Sequence, residues 1–268
     1  MTGAAQAKLE VDGRAATVDD LTYLAMGGYS HFTAMQVRDG RTRGLGFHLA
    51  RLDAATRELY GEGLDGERVR ELIRHALAGG PDGVTGDASV RVNVFRPEDT
   101  PGGAVRLMVS VRPPGAAPAE VVGLRAVDHQ RPVAHLKHSG GFAQAYYGRL
   151  AADEGFDEAL LVGPGGVVAE GAITNIGFIE GDTVVWPDAP ALNGIAMQVL
   201  ERELASAGVS SKRRPVFLSD LPSFDGAFVT NSRGFAAVGR IDRLELPLDA
   251  PLLATLRALA HAAPWDTV

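Results

Sequence analysis

Asp157-Glu158-Ala159-Leu160-Leu161-Val162-Gly163-Pro164-Gly165-Gly166-Val167-Val168-Ala169-Glu170-Gly171-Ala172-Ile173-Thr174-Asn175-Ile176 is the stretch on which the fold is decided. Residues 159–162 and 167–169 are short apolar runs bounded by glycine and proline, the pattern of strands separated by a tight Gly165-Gly166 turn. Residues 176–179 and 183–185 continue the series as further short strands. Glu170 falls in a small-residue loop after the 167–169 strand. A carboxylate so placed either ends a strand in solvent or is held for a purpose.

Working outward, Lys137 stands thirty-three residues earlier, in His135-Leu136-Lys137-His138-Ser139-Gly140-Gly141. The chain has three lysines (Lys8, Lys137 and Lys212) against twenty-three arginines, so its ordinary surface cations are arginines. Arginine is not deprotonated in a protein, whereas a free lysine amine attacks carbonyls to form a Schiff base. The paired glycines let backbone or a ligand approach closely. An imine-forming lysine and a carboxylate that keeps a ring nitrogen protonated are the two groups that pyridoxal phosphate (PLP) chemistry requires. A solvated lysine and a strand-end glutamate are the bland alternative.

The flanking sequence divides the chain. On the N-terminal side, 29–37 reads as a strand, Asp39-Gly40 as a hairpin turn, and 47–60 as a helix with Phe47, Leu52, Ala55 and Leu59 on its apolar face. A second helix spans 66–78, with Val69, Leu72, Ile73 and Leu77 apolar, and Gly79-Gly80-Pro81-Asp82-Gly83 ends it. Alternation at Val90, Val92 and Val94, and at Val105, Leu107, Val109 and Val111, marks half-buried strands. Pro113-Pro114-Gly115-Ala116-Ala117-Pro118 is a stiff break. The expected organisation is therefore α+β in two domains: a small α/β domain over 1–112, a linker over 113–118, and a larger mixed-sheet domain over 119–268. The latter should contain a strand at 124–129, helices at 142–154 and 195–207, and strands at 216–218 and 227–230.

Composition excludes several classes. A net charge of −7 is poor for binding a polyanion, and the one short basic cluster, Lys212-Arg213-Arg214, reads as a solvated turn; no nucleic-acid partner is expected. With no cysteine there is no disulfide, zinc ribbon or thiol nucleophile. His135 and His138 lack a second ligand cluster, so no metal is expected. Gly79 to Gly86 lacks the strand-to-helix context of a nucleotide loop, and no nucleophile elbow is present. No run approaches the roughly 20 apolar residues of a membrane span, and the N-terminus lacks a secretory apolar core. The expectation is a soluble cytoplasmic protein.

Three further segments bear on Lys137 and Glu170. His48-Leu49-Ala50-Arg51-Leu52 lies on the first long helix. Leu192-Asn193-Gly194-Ile195 opens a later helix, whose first N–H groups suit an anion. Thr230-Asn231-Ser232-Arg233-Gly234 follows a strand and offers hydroxyls, amides and a cation. In this order the motifs resemble the class IV aminotransferases, the PLP enzymes of fold type IV. That family includes branched-chain and D-amino acid aminotransferases, (R)-selective amine transaminases and aminodeoxychorismate lyase. The most specific match is Glu170-Gly-x-x-x-Asn175-Ile after Asp157-Glu158-Ala159-Leu160-Leu161 and Gly165-Gly166.

The resemblance implies a D-amino acid aminotransferase-like fold and PLP as cofactor. It makes Lys137 the Schiff-base lysine and proton carrier, Glu170 the acid at the pyridine nitrogen, and Arg51 the phosphate-binding arginine. Ile195 and Ala196, after Gly194, become the amide pair at the phosphate. Ser232 becomes a phosphate hydroxyl with Asn231 beside it, and Asn175 a loop-ordering residue. Candidates for the substrate are Tyr29, His31, Arg91, Arg96, Phe142 and Arg233, the arginines as carboxylate binders. The family's frequent tyrosine five residues after the lysine is Phe142 here, with Tyr146 or Tyr147 as substitutes. Its Pro-Gly-Ile-Thr is Asn193-Gly194-Ile195-Ala196, and its Thr-Gly-Thr is Thr230-Asn231-Ser232.

The implied activity is transfer of an amino group from an amino acid to a 2-oxo acid, with a D-amino acid or (R)-amine slightly favoured. Aminodeoxychorismate lyase and branched-chain L-amino acid transamination are the alternatives on the same cofactor. A catalytically silent PLP-binding protein is the alternative of another class. A homodimer is expected by resemblance.

Overall fold

The Asp39-Gly40 turn closes as its sequence requires. Both residues adopt positive φ (48° and 69°), and Arg38 and Arg41 exchange backbone N–H···O bonds of 2.8 and 2.9 Å. The computed structural model describes residues 7–78, 86–97 and 103–268, so the helix-ending stretch expected at Gly79 to Gly83 lies outside the described residues. These residues form two units. One contains the chain to Ala116 with Leu136–Gly140 and Pro264–Val268; the other contains Ala117–His135 and Gly141–Ala263.

In the first unit β1 (Lys8–Val11), β2 (Arg14–Ala15) and α1 (Val18–Met26) precede β3 (Ser30–Val37) and β4 (Arg41–Thr42). Helices α2 (Leu45–Tyr60) and α3 (Gly66–Ala78) follow, then β5 (Ala88–Phe95) and β6 (Arg106–Arg112). The antiparallel sheet runs β2-β1-β6-β5-β3. Alternation places Met35, Val37, Val90, Val92, Val94, Leu107 and Val109 in one core with Leu52 of α2 and Val69 and Ile73 of α3. The buried stripe of α2 differs from the expected one. It is Leu45, His48, Leu52, Ala55 and Thr56, while Phe47 and Leu59 are only half-buried. The helix thus turns two polar side chains inward, which apolar periodicity does not register.

The sequence places everything after 118 in the second domain, but two later segments complete the first unit. The 137–139 stretch runs antiparallel along the free edge of β3. Phe32 N–H donates to Lys137 O and Ser139 N–H to Ser30 O, each at 2.9 Å, and His31 pairs with His138. Residues Asp266–Thr267 pair with β4, and the Asp266 carboxylate accepts the Leu45 amide at 2.8 Å. That bond satisfies one orphan donor of α2, whose N-cap, Gly44, has no side chain to do so.

The second unit contains β7 (Val121–Asp128), α4 (Phe142–Asp153), β8 (Glu158–Gly163), β9 (Val167–Gly171), β10 (Asn175–Glu180) and β11 (Thr183–Pro187). It continues through α5 (Ile195–Ser206), β12 (Ser210–Arg214), β13 (Gly226–Asn231), β14 (Gly234–Ile241), β15 (Leu244–Glu245) and α6 (Pro251–Ala262). The mixed sheet runs β12-β11-β10-β13-β14-β7-β8-β9, with parallel pairs at β11–β12, β14–β7 and β7–β8. It curls: Val168 N–H of β9 donates to Val216 O at 2.8 Å, and one face of nearly every strand shares a core that includes Leu124, Leu160, Val168, Phe178, Val185 and Ala236. The other face of β10, β11, β13 and β14 packs against α5 and α6.

Two expectations fail here. Lys212-Arg213-Arg214 is no solvated turn but part of edge strand β12, where Lys212 and Arg214 pair with Glu180 and Arg213 pairs with Glu201. Residues 216–218 form no strand; Phe217 makes a single bridge to Val167 before a 3-10 turn over Leu218–Ser223. Among the described residues no helix is long and apolar enough to cross a membrane.

Candidate active site

In the first unit the inward polar residues of α2 meet β3. His48 Nδ1 lies 2.6 Å from Thr33 Oγ1, and His31 Nε2 lies 3.1 Å from Thr56 Oγ1. The Thr56 hydroxyl donates to Leu52 O at 2.7 Å, so it can only accept from His31. His31 therefore carries its proton on Nε2, which leaves Nδ1 as a bare acceptor, buried and without a hydrogen-bond partner among the described residues. Burial holds His31 down to about 4. His48 is held lower, at about 3, by burial first and then by the positive charges of Arg51 and Lys137. Both imidazoles are thus neutral beneath a cationic site. Burial also lowers Arg51, one helical turn beyond His48, to about 10; an anion brought to it would offset that cost.

Lys137 Nζ sits 4.9 Å from the Phe32 ring centroid, and the Arg91 guanidinium carbon lies 3.5 Å from the same ring. Arg91 is steered by a chain of side-chain bonds. Its Nε donates to Asn93 Oδ1 (2.9 Å), and Asn93 Nδ2 and Ser30 Oγ both donate to Ser139 Oγ (3.2 and 2.6 Å). Burial, then the charge of Arg112, lowers Arg91 to about 10. Of the substrate candidates in this unit, Arg91 alone shares this surface with Lys137. His31 faces α2 instead, because its place on β3 is an inward one. Arg96 is tied to Glu62 and to Tyr60 O, and Tyr29 packs edge-on against Tyr60.

In the second unit Glu170 lies within β9 rather than in a loop after it, and is 5% exposed. Arg131 Nε donates to its Oε1 at 2.7 Å and Leu192 N–H to its Oε2 at 3.0 Å. Arg131 is itself buried, and its second nitrogen bonds Ala134 O at 2.5 Å. Two fixed donors leave the remaining lone pairs of Glu170 aimed by the protein. Arg131 is not recognisable from sequence, since one arginine among twenty-three carries no motif, and Leu192 stands in the expected phosphate-helix motif without any sign that its amide serves Glu170.

Asn175 Nδ2 donates to Leu192 O at 2.7 Å, binding the 192–194 turn to β10. A Cβ on Gly194 would stand 1.8 Å from Asn175 Oδ1, so this approach requires glycine. Gly194 caps α5 without a side chain, so the first-turn amides, Ile195 and Ala196 among them, keep their donors for an anion. In the β13–β14 turn Asn231 Oδ1 accepts Arg233 N–H at 2.8 Å, and Ser232 and Arg233 are exposed. Asn231 Nδ2 reaches Ile173 O at 3.4 Å. Phe142 begins α4, 83% exposed and stacked on Tyr146; Tyr147 packs on His129.

The chain resembles known proteins in sequence and shape. A stretch of 93 residues is 34% identical to a probable branched-chain-amino-acid aminotransferase of Rickettsia felis, covering 34% of this chain and 31% of that protein. The match therefore spans about a third of the length of that curated relative. A fold IV-transaminase from Curtobacterium pusillum superposes with a TM-score of 0.82 at 21% identity, over 97% of this chain and all of the other. A PLP-bound hypothetical aminotransferase from Mycobacterium tuberculosis gives 0.78 at 22% identity over 90% of each chain. At these identities the superpositions establish the fold, which is type IV. The family model for class IV amino-transferases matches residues 30–241, well over half of the sequence, and the chain belongs to that family.

Proposed function

We propose that this protein binds PLP and transfers an amino group from an amino donor to a 2-oxo acid. The observation that carries the proposal is Glu170, a buried carboxylate oriented by Arg131 and a backbone amide in a chain of this family. The donor set suits the cofactor. Arg51, the Ile195 and Ala196 amides and the Ser232 hydroxyl are phosphate ligands by chemistry, and Glu170 is a partner for a protonated ring nitrogen. When bound, the cofactor supplies the sink for the electrons released at the substrate α-carbon.

Lys137 Nζ would be the amine that holds the cofactor at its carbonyl carbon, and as a free amine it would take and return the substrate's α-proton. His48, kept neutral, adds no charge beside Arg51 and Lys137. Arg91, placed over the Phe32 ring, is the anchor for the substrate carboxylate.

For the donor, Phe142 in place of the family's frequent tyrosine and the altered Thr230-Asn231-Ser232 turn support a D-amino acid or (R)-amine. A branched-chain L-amino acid is the second reading, favoured by the name of the Rickettsia relative. A donor panel (D-alanine, an (R)-amine, L-leucine and aminodeoxychorismate) tests both, scored by loss of the imine absorbance of the PLP-loaded protein. Conversion by D-alanine or the (R)-amine and not by L-leucine is expected. Conversion by L-leucine alone would select the second reading, and a protein with no borohydride-sensitive imine band would overturn PLP binding itself.

A further inference from the structure

Glu158, on β8, has no part in the chemistry above, yet it is a carboxylate only 9% exposed. Among the described residues it makes no ion pair at contact distance; the charge nearest in effect is Arg233, and burial pushes its pKa up. Its Oε1 accepts the Ile173 amide at 2.6 Å and the Thr174 hydroxyl at 3.1 Å. These donors belong to the four-residue turn from β9 to β10, which carries Glu170 at one end and Asn175 at the other. The turn is built around that oxygen: a Cβ on Gly171 would fall 2.5 Å from Glu158 Oε1 and 2.2 Å from Thr174 Oγ1. Gly171 N–H closes it on Thr174 O at 2.9 Å, and Ala172 N–H binds Ala159 O of β8 at 2.9 Å. From Ile173 O the connection passes to Asn231 Nδ2, and from Asn231 Oδ1 to Arg233 N–H, shaping the turn that bears Ser232.

We propose that Glu158 is a positioning residue for cofactor binding: by accepting the Ile173 and Thr174 donors it sets the turn that aligns Glu170, Asn175 and the Ser232 turn together. A surface loop does not need a buried carboxylate, because water would satisfy both donors; burial without a cation at contact is costly and is retained only where its geometry matters. The inference rests on the PLP reading.

The test is PLP affinity and apo-protein melting in Glu158→Ala, Glu158→Gln and Thr174→Val, with Val162→Ala as a core deletion on the same strand. Loss of the acceptor in Glu158→Ala should weaken PLP binding about tenfold or more, and loss of one donor in Thr174→Val about threefold. Glu158→Gln, whose amide oxygen accepts the same two donors, should restore affinity to within about twofold of the parent. Val162→Ala should lower the melting temperature without changing PLP affinity. Unchanged affinity in Glu158→Ala or in Thr174→Val, or loss in Glu158→Gln as great as in Glu158→Ala, would overturn the positioning role. If Glu158→Ala does not fold, Thr174→Val and Glu158→Gln decide the matter. A parent protein that binds no PLP would instead overturn the reading on which the inference stands.

Discussion

The two units hold their functional groups by different means. Around Lys137 the first unit relies on side chains: a cation over an aromatic ring, a second cation on the same ring, and two neutral histidines pinned to threonines beneath. Around Glu170 the second unit relies on a buried ion pair and on backbone amides at a helix start. Side-chain sites are sensitive to single substitutions and to pH, whereas backbone donors keep their identity under both. The proposed imine lysine thus sits where chemistry is tunable, and the proposed phosphate amides where it is not.

The largest effect expected is that of Lys137→Ala, which should reduce turnover by at least about a thousandfold while the protein stays folded by circular dichroism. Turnover near the parent level would break the contrast by removing the reactive group from the first unit. In the second unit Arg131→Met keeps much of the volume but strands Glu170 without its cation, which should cost about 3 kcal/mol or more in urea unfolding. Pairing it with Glu170→Gln should recover part of that loss. If Arg131→Met is as stable as the parent, the ion pair does not hold this site together.

The smallest effect, and the most specific to the first unit, is on pH. His31 and His48 are held at about 4 and about 3, below an unfolded value of about 6.5. Between these limits the unfolded chain binds more protons than the native one. Stability therefore rises with pH and is lost as pH falls from about 6.5 toward 4, by up to about 1.4 kcal/mol per unit for each histidine. Urea midpoints at pH 7 and pH 5 measure the total, and hydrogen exchange locates it. Amides of β3 and α2 should open before those of β10 and α5, and equal midpoints at the two pH values would refute the assignment.

What was legible in the sequence was local. Period-2 valines gave β5 and β6, Asp39-Gly40 gave its turn, and the Glu170 to Asn175 spacing gave the family. What was not legible depended on partners far along the chain. Arg131 acquires meaning only from Glu170, thirty-nine residues on. The 137–139 stretch carries no strand pattern of its own until β3, more than a hundred residues earlier, supplies the edge it pairs with. Strand β12 is obscured by its cations, which look like a turn until Glu180 and Glu201 are placed beside them. His48 stands within the His48-Leu49-Ala50-Arg51-Leu52 motif, but its neutrality follows from burial on the inward face of α2, a tertiary fact.

The Asp266 carboxylate at the first turn of α2 has a consequence for how the polypeptide is made. A ribosome emits α2 early, the 137–139 edge strand much later, and Asp266 only after all of Gly141–Ala263 has emerged. The earlier-synthesised unit must therefore wait, with an open sheet edge and an unsatisfied helix start, until the later one has been delivered. Closing it joins residues 221 positions apart, an entropic toll that grows only with the logarithm of the loop and that shrinks further if the intervening unit has already collapsed. The part of the chain that begins first is thus built to finish last.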